Sequence, residues 1–166
     1  MQKKLKSMLL IEAIVLIAVS FPLHFLYDLT GIKFLGYFVP VSESVWEHLK
    51  LLFFPAIITS AVQYLLFGKE YMNFITAKTL GIFAGVFAIA ASFYTYSGII
   101  GKNFLIADIL TYVLGVLVYE LLSYFIIKSG KFSSRQSLFA ALVLIFIASA
   151  AFIGFTYNPP QLAIFR

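Results

Sequence analysis

Two histidines and seven carboxylates are the side chains of this 166-residue sequence best suited to bind a metal or move a proton, for cysteine is absent. That absence excludes disulfides, thiolate zinc sites and thiol redox chemistry, and two histidines cannot make a three-histidine metal site. Spacing groups much of what remains. Ser20, His24 and Asp28 stand four apart, so a helix carries them on one face. Glu43 and Glu47 form another such pair, with Ser44 and His48 one residue round. Further on, Asp108, Tyr112, Gly115, Tyr119 and Ser123 make a polar and aromatic stripe at helical spacing.

Neutral imidazole and carboxylate oxygen suit Zn²⁺, Mn²⁺ or Fe²⁺, and such an ion with an open position activates water. The expected ligands of a divalent metal such as zinc are His24, His48 and Asp108. Asp28 is a further ligand, and Glu43 and Glu47 are the candidate catalytic carboxylates, Glu47 as general base. No spacing matches H-E-x-x-H, so the donor types alone carry this reading. A metal-free version pairs His48 with a carboxylate as a proton shuttle. Ordinary roles compete. Ser44-x-x-Glu47 reads as a capping box, and Glu43 and Glu47 complement a helix N-terminus. Lys50 is expected to snorkel to headgroups, and Trp46, Tyr94 and Tyr96 to sit in an interfacial belt.

The elements that position these groups follow from composition. Hydrophobic residues make up 62% of the chain and charged ones 11%, against about 25% charged in soluble domains. The expected fold is a single all-α domain, an integral membrane bundle in the cell membrane, with the lipid bilayer as its surroundings. A crossing needs roughly 20 apolar residues. Five segments qualify, at about 8–26, 49–67, 75–99, 104–127 and 137–157. Residues 31–40 are too short to cross and are expected to lie in the interface. The first segment has a basic start and an Ala18-Val19-Ser20 run like a cleavage site, but Glu12 interrupts it and four spans follow. It reads as a retained anchor.

Lys3, Lys4, Lys6, Lys69, Lys78, Lys128, Lys131 and Arg135 fall on one side, and Lys33, Lys50, Lys102 and Arg166 on the other. The positive-inside rule then puts the N-terminus in the cytoplasm and the C-terminus outside. The +5 net charge is a topology signal, and no basic stripe interleaved with aromatics suggests nucleic acid. No internal repeat stands out, and five spans do not divide into inverted halves.

On this topology His24, Asp28, Glu43, Glu47, His48 and Asp108 share the outer level. A second cluster, Glu12, Lys78 and Glu120, lies toward the inner side, with Glu120 near mid-membrane. An acidic residue there costs about 2.5–3.5 kcal/mol. An ion pair among the three is the expected arrangement, and a protonated Glu120 needs no partner. Thr59 and Gln63 lie between the two levels as a sparse polar track. Gly81-x-x-x-Gly85, followed by Ala88, Ser92 and Tyr96, marks a face for close helix contact.

The run Pro40-Val41-Ser42-Glu43-Ser44-Val45-Trp46-Glu47-His48-Leu49-Lys50-Leu51-Leu52-Phe53-Phe54-Pro55, preceded by His24-Phe25-x-Tyr27-Asp28, resembles the signature of an uncharacterised family of small bacterial membrane proteins. Tyr94-Thr95-Tyr96-Ser97-Gly98 and residues 103–108 are similar to later motifs of that family, which often has Asn where this chain has Ser42. The resemblance implies a multi-helix membrane protein and no activity. Three functions fit the residues. One is a metal-assisted hydrolase of a lipid or amphiphile, with His24 and His48 holding the ion, Asp108 ligating and Glu47 as base. Another is a small transporter or proton-coupled permease using the Asp108-to-Glu120 stripe. The third is a non-catalytic accessory subunit that docks a protein partner, or a further copy of itself, through Trp46 and Glu47.

Overall fold

A computed structural model describes residues 2–165, and every regular element in it is a helix. Five are long: α1 (Gln2–Thr30), α3 (Val45–Leu66), α4 (Phe74–Ile100), α5 (Leu105–Ser129) and α6 (Arg135–Phe155). Each is long and apolar enough to cross a membrane. The short α2 (Lys33–Gly36) lies in the connection to α3, within the stretch expected to be interfacial. Arg166, counted above among the charges of the second side, lies outside the described residues.

Helix ends are set by caps as much as by hydropathy. The Ser44 side chain accepts from the Glu47 backbone N–H at 3.4 Å, so α3 begins four residues before the apolar run expected to start at 49. Only half of the capping box forms, because the Glu47 carboxylate turns away to accept from Val41 N–H at 3.0 Å. Ser134 caps α6 in the same way, accepting from Ser137 N–H. At the far ends, Gly101 and Gly130 adopt left-handed backbone (φ +82° and +66°), which closes α4 and α5.

The closest packing is between α4 and α5, where the small residues meet. A Cβ built on Gly85 would lie 2.7 Å from the Gly115 carbonyl, and one on Gly115 would lie 2.9 Å from the Gly85 carbonyl. Backbones this close leave no space for a side chain, as small-residue helix contacts require. Around that seam the core is filled by Leu16, Leu52, Phe53, Ile82 and Val116. Pro55 lacks the N–H that would bond the Leu51 carbonyl. The Tyr112 hydroxyl lies 3.2 Å from that carbonyl and 3.1 Å from the Leu16 carbonyl, joining α5 to α3 and α1.

The outer surface is apolar. Phe139 and Phe146 of α6 are 70% and 75% exposed, and Phe87, Leu105, Ile106 and Leu121 also face outward. Exposed apolar surface on this scale is consistent with lipid contact, because soluble monomers rarely show contiguous patches beyond a few hundred Å².

Candidate functional site

The C-terminal end of α1 meets the first turn of α3, and there the two histidines face each other. Their Nε2 atoms are 3.1 Å apart. Glu43, on the loop just before α3, brings a carboxylate oxygen to 3.4 Å from His48 Nε2 and 3.9 Å from His24 Nε2. The three ligand atoms lie within 4.8 Å of one another. Donors about 2.0–2.1 Å from a tetrahedral zinc are about 3.3 Å from each other, so this triangle has nearly the dimensions of one face of such a site.

The backbone sets the orientation of one ring. His48 Nδ1 lies 2.9 Å from the Ser44 carbonyl, and an Nδ1–H donated there leaves the Nε2 lone pair directed at His24. That pairing is a consequence of helix geometry, because Ser44 and His48 are one turn apart. His24 packs edge-on against His48 and beside Phe25, and its Nδ1 is buried without a partner. Both imidazoles are partly buried while the Glu43 side chain is 79% exposed, so the group opens to solvent on the Glu43 side. Beside it, Glu43, Phe93, Tyr94, Ser97, Lys102 and Asn103 line a cleft of about 450 Å³.

Not every expected ligand joins them. Asp108 accepts from the Tyr96 hydroxyl and from Asn103 Nδ2 (3.3 Å), so its carboxylate is engaged between α4 and α5. It stands in the first turn of α5, where an acidic side chain also complements the helix dipole. Asp28 is exposed, one turn beyond His24, outside the triangle of ligand atoms.

Glu47 and Lys50 correct the expectation most sharply. Lys50 does not snorkel: it is 0% exposed. Its ammonium donates to Glu47 at 2.8 Å, to the Gly36 carbonyl at 2.9 Å and to Thr156 Oγ1 at 2.7 Å. Burial without these partners would cost several kcal/mol, so the end of α2 and the end of α6 fold over the charge and hold it. Glu47 is thereby committed to Lys50 and Val41 and is removed from the histidines, which takes away its expected role as base. Trp46 also turns inward, stacking on Phe152 (4.5 Å) and Phe165 (4.8 Å) instead of standing in a belt. Tyr157 closes the lid of this lock by donating to the Lys33 carbonyl at 2.6 Å. Desolvation first, and the neighbouring Tyr27 hydroxyl next, push its pKa up to about 12.

Sequence reasoning missed the Lys50 lock, although the Glu47–Lys50 spacing of three was a usable signal. The second cluster does assemble. Lys78 pairs with Glu12 and lies 3.3 Å from Glu120. Thr59 donates to Glu12 at 2.5 Å and Tyr119 to the same oxygen at 2.7 Å. Between this cluster and the histidines lie Leu16 on α1, Leu52 on α3 and Val116 on α5, all 0% exposed. Thr59 and Gln63 do not continue toward the histidines: Thr59 donates to Glu12 and Gln63 to the Met8 carbonyl, and the Tyr112 hydroxyl at the intervening level lies against the Leu16 and Leu51 carbonyls.

The family of unknown function DUF6512 matches residues 1–166, the whole chain. This chain belongs to that family. The expectation of an uncharacterised family is met, and DUF6512 brings no activity. No curated protein matches this DUF6512 member. No solved structure matches it either.

Proposed function

We propose that this DUF6512 protein is a multi-pass protein of the cell membrane that binds one divalent transition-metal ion, zinc being the type, through His24 Nε2, His48 Nε2 and Glu43. The observation that carries the reading is the 3.1 Å approach of two Nε2 atoms from different helices, with a carboxylate oxygen 3.4 Å away. Two imidazoles and one carboxylate are a donor set that leaves a fourth position open on zinc, and an ion held so supplies a water nucleophile and a Lewis acid. The exposed side of Glu43 and the adjoining cleft support access from the membrane surface. The class of reaction that fits is hydrolysis of a lipid or another amphiphile whose headgroup reaches that cleft. Lys102 on its wall suits an anionic group. The eight-to-four distribution of Lys and Arg supports an outward-facing site.

Titration of the detergent-purified protein with Zn²⁺ in a calorimeter tests this. One ion per chain is expected for the wild type, with affinity lost in His24→Ala and in His48→Ala. Equal binding by wild type and both variants would overturn the proposal.

A further inference from the structure

The second polar cluster is buried among helices long and apolar enough to cross a membrane. Glu120 is nine residues from Ser129 at the end of its helix, about 13 Å by helical rise. Glu12, Lys78 and Glu120 are 2%, 2% and 6% exposed. Charge counting decides what such a group can hold. Two carboxylates and one ammonium carry a net charge of −1 if all three ionise, and an uncompensated charge in this medium costs several kcal/mol. The groups that face the cluster from the helices around it add no cation. From α3 come Thr59 and Ser60, from α4 Lys78 alone, and from α5 Tyr119, whose ring lies 4.7 Å below the Lys78 ammonium. Arg135, in the first turn of α6, is the one charged residue of that helix.

The hydrogen bonds of the two carboxylates are unequal. Glu12 has a full set of donors for an anion: Thr59 and Tyr119 on one oxygen, and Lys78 on the other. Glu120 has one donor, Lys78, at the longer distance of 3.3 Å. Its Oε1 is buried with no partner. A carboxylate left with a bare buried oxygen is the costly state, and a carboxylic acid the cheaper one.

We infer that the Glu12–Lys78–Glu120 triad is a proton-binding site, with one proton resident on Glu120, so that the cluster is neutral as Glu12⁻, Lys78⁺ and Glu120–H. The proton comes from solvent water and no other bond changes. This site stands apart from the His24–His48–Glu43 group, and its occupancy does not depend on metal. A neutral triad that can lose its proton to become anionic is the element a proton-linked step in the membrane would need.

The test counts protonated carboxyls directly. The full chain is labelled with carboxyl-¹³C glutamate, placed in liposomes at pH 8 and read by solid-state NMR. Five glutamates are present, Glu12, Glu43, Glu47, Glu70 and Glu120. One protonated signal is expected in the wild type, and none would overturn the proposal without any variant. Glu120→Gln is expected to remove that signal, and its persistence would refute the assignment to Glu120. Glu12→Gln is the second arm. With Glu12 neutral, Glu120 ionises against Lys78, so the signal is again lost. A signal retained in Glu12→Gln would refute the charge balance on which the inference rests.

Discussion

Replacing Lys50 with Met keeps most of the side-chain volume and removes the charge. The Lys50 ammonium makes three hydrogen bonds in a site with no solvent exposure. Without it, Glu47 retains the Val41 N–H, and the Gly36 carbonyl and Thr156 hydroxyl lose a donor. Breaking a buried pair by deleting one member costs about 3–5 kcal/mol. Lys50→Met is therefore expected to lose about that much stability, measured by equilibrium unfolding in mixed detergent micelles. Glu47→Gln strands the ammonium and should cost a similar amount. The double variant should cost less than the sum of the singles, by about 1–3 kcal/mol, because the pair is removed together. The loss should also reach the histidines. Lys50 holds Gly36, where the connection to α3 begins, and Glu47 holds Val41, two residues before Glu43. Zinc affinity should fall about 10-fold or more although no ligand has changed, as it does when supporting contacts of metal sites are removed. A Lys50→Met variant within about 1 kcal/mol of wild type, or strictly additive singles, would refute this reasoning.

Asp108→Ala should leave zinc affinity within about twofold of wild type, since Asp108 is engaged by Tyr96 and Asn103, is not one of the three converging groups, and sites that share no partner add independently; a titration checks it. Gly115→Ala should destabilise by about 1–3 kcal/mol, because the new methyl meets Ile89 and the Gly85 carbonyl, and unfolding in micelles reads the cost. Zinc binding should release protons and weaken on acidification, which calorimetry in two buffers of different ionisation enthalpy would show. The pKa of Tyr157 is raised in the folded chain, so its contribution is fully present below pH 10.0 and is lost as the pH rises through about 12. Wild type should lose more stability across that window than Tyr157→Phe.

The helices were legible because hydrophobic length is read one residue at a time, without knowledge of neighbours. Their starts were not, where Ser44 and Ser134 cap α3 and α6 ahead of the apolar run. The meeting of His24 and His48 was legible as a shared depth, and for the same reason Asp108 was misplaced. Depth along a helix says nothing about which side of the bundle a residue occupies, and Asp108 lies at the α4–α5 seam. Lys50 failed differently. Its partners Gly36 and Thr156 come from the end of the short α2 and from the end of a helix 106 residues away, and no local pattern announces them. The glycines behaved as read, since a Gly-x-x-x-Gly face encodes close approach in its own spacing.

X-ray absorption of the zinc-loaded chain tests the central claim most directly. The account predicts a first shell of nitrogen and oxygen at about 2.0–2.1 Å with the scattering pattern of two imidazoles, reduced to one in His24→Ala. A zinc shell with no imidazole scattering, or one that is unchanged in His24→Ala, would contradict it.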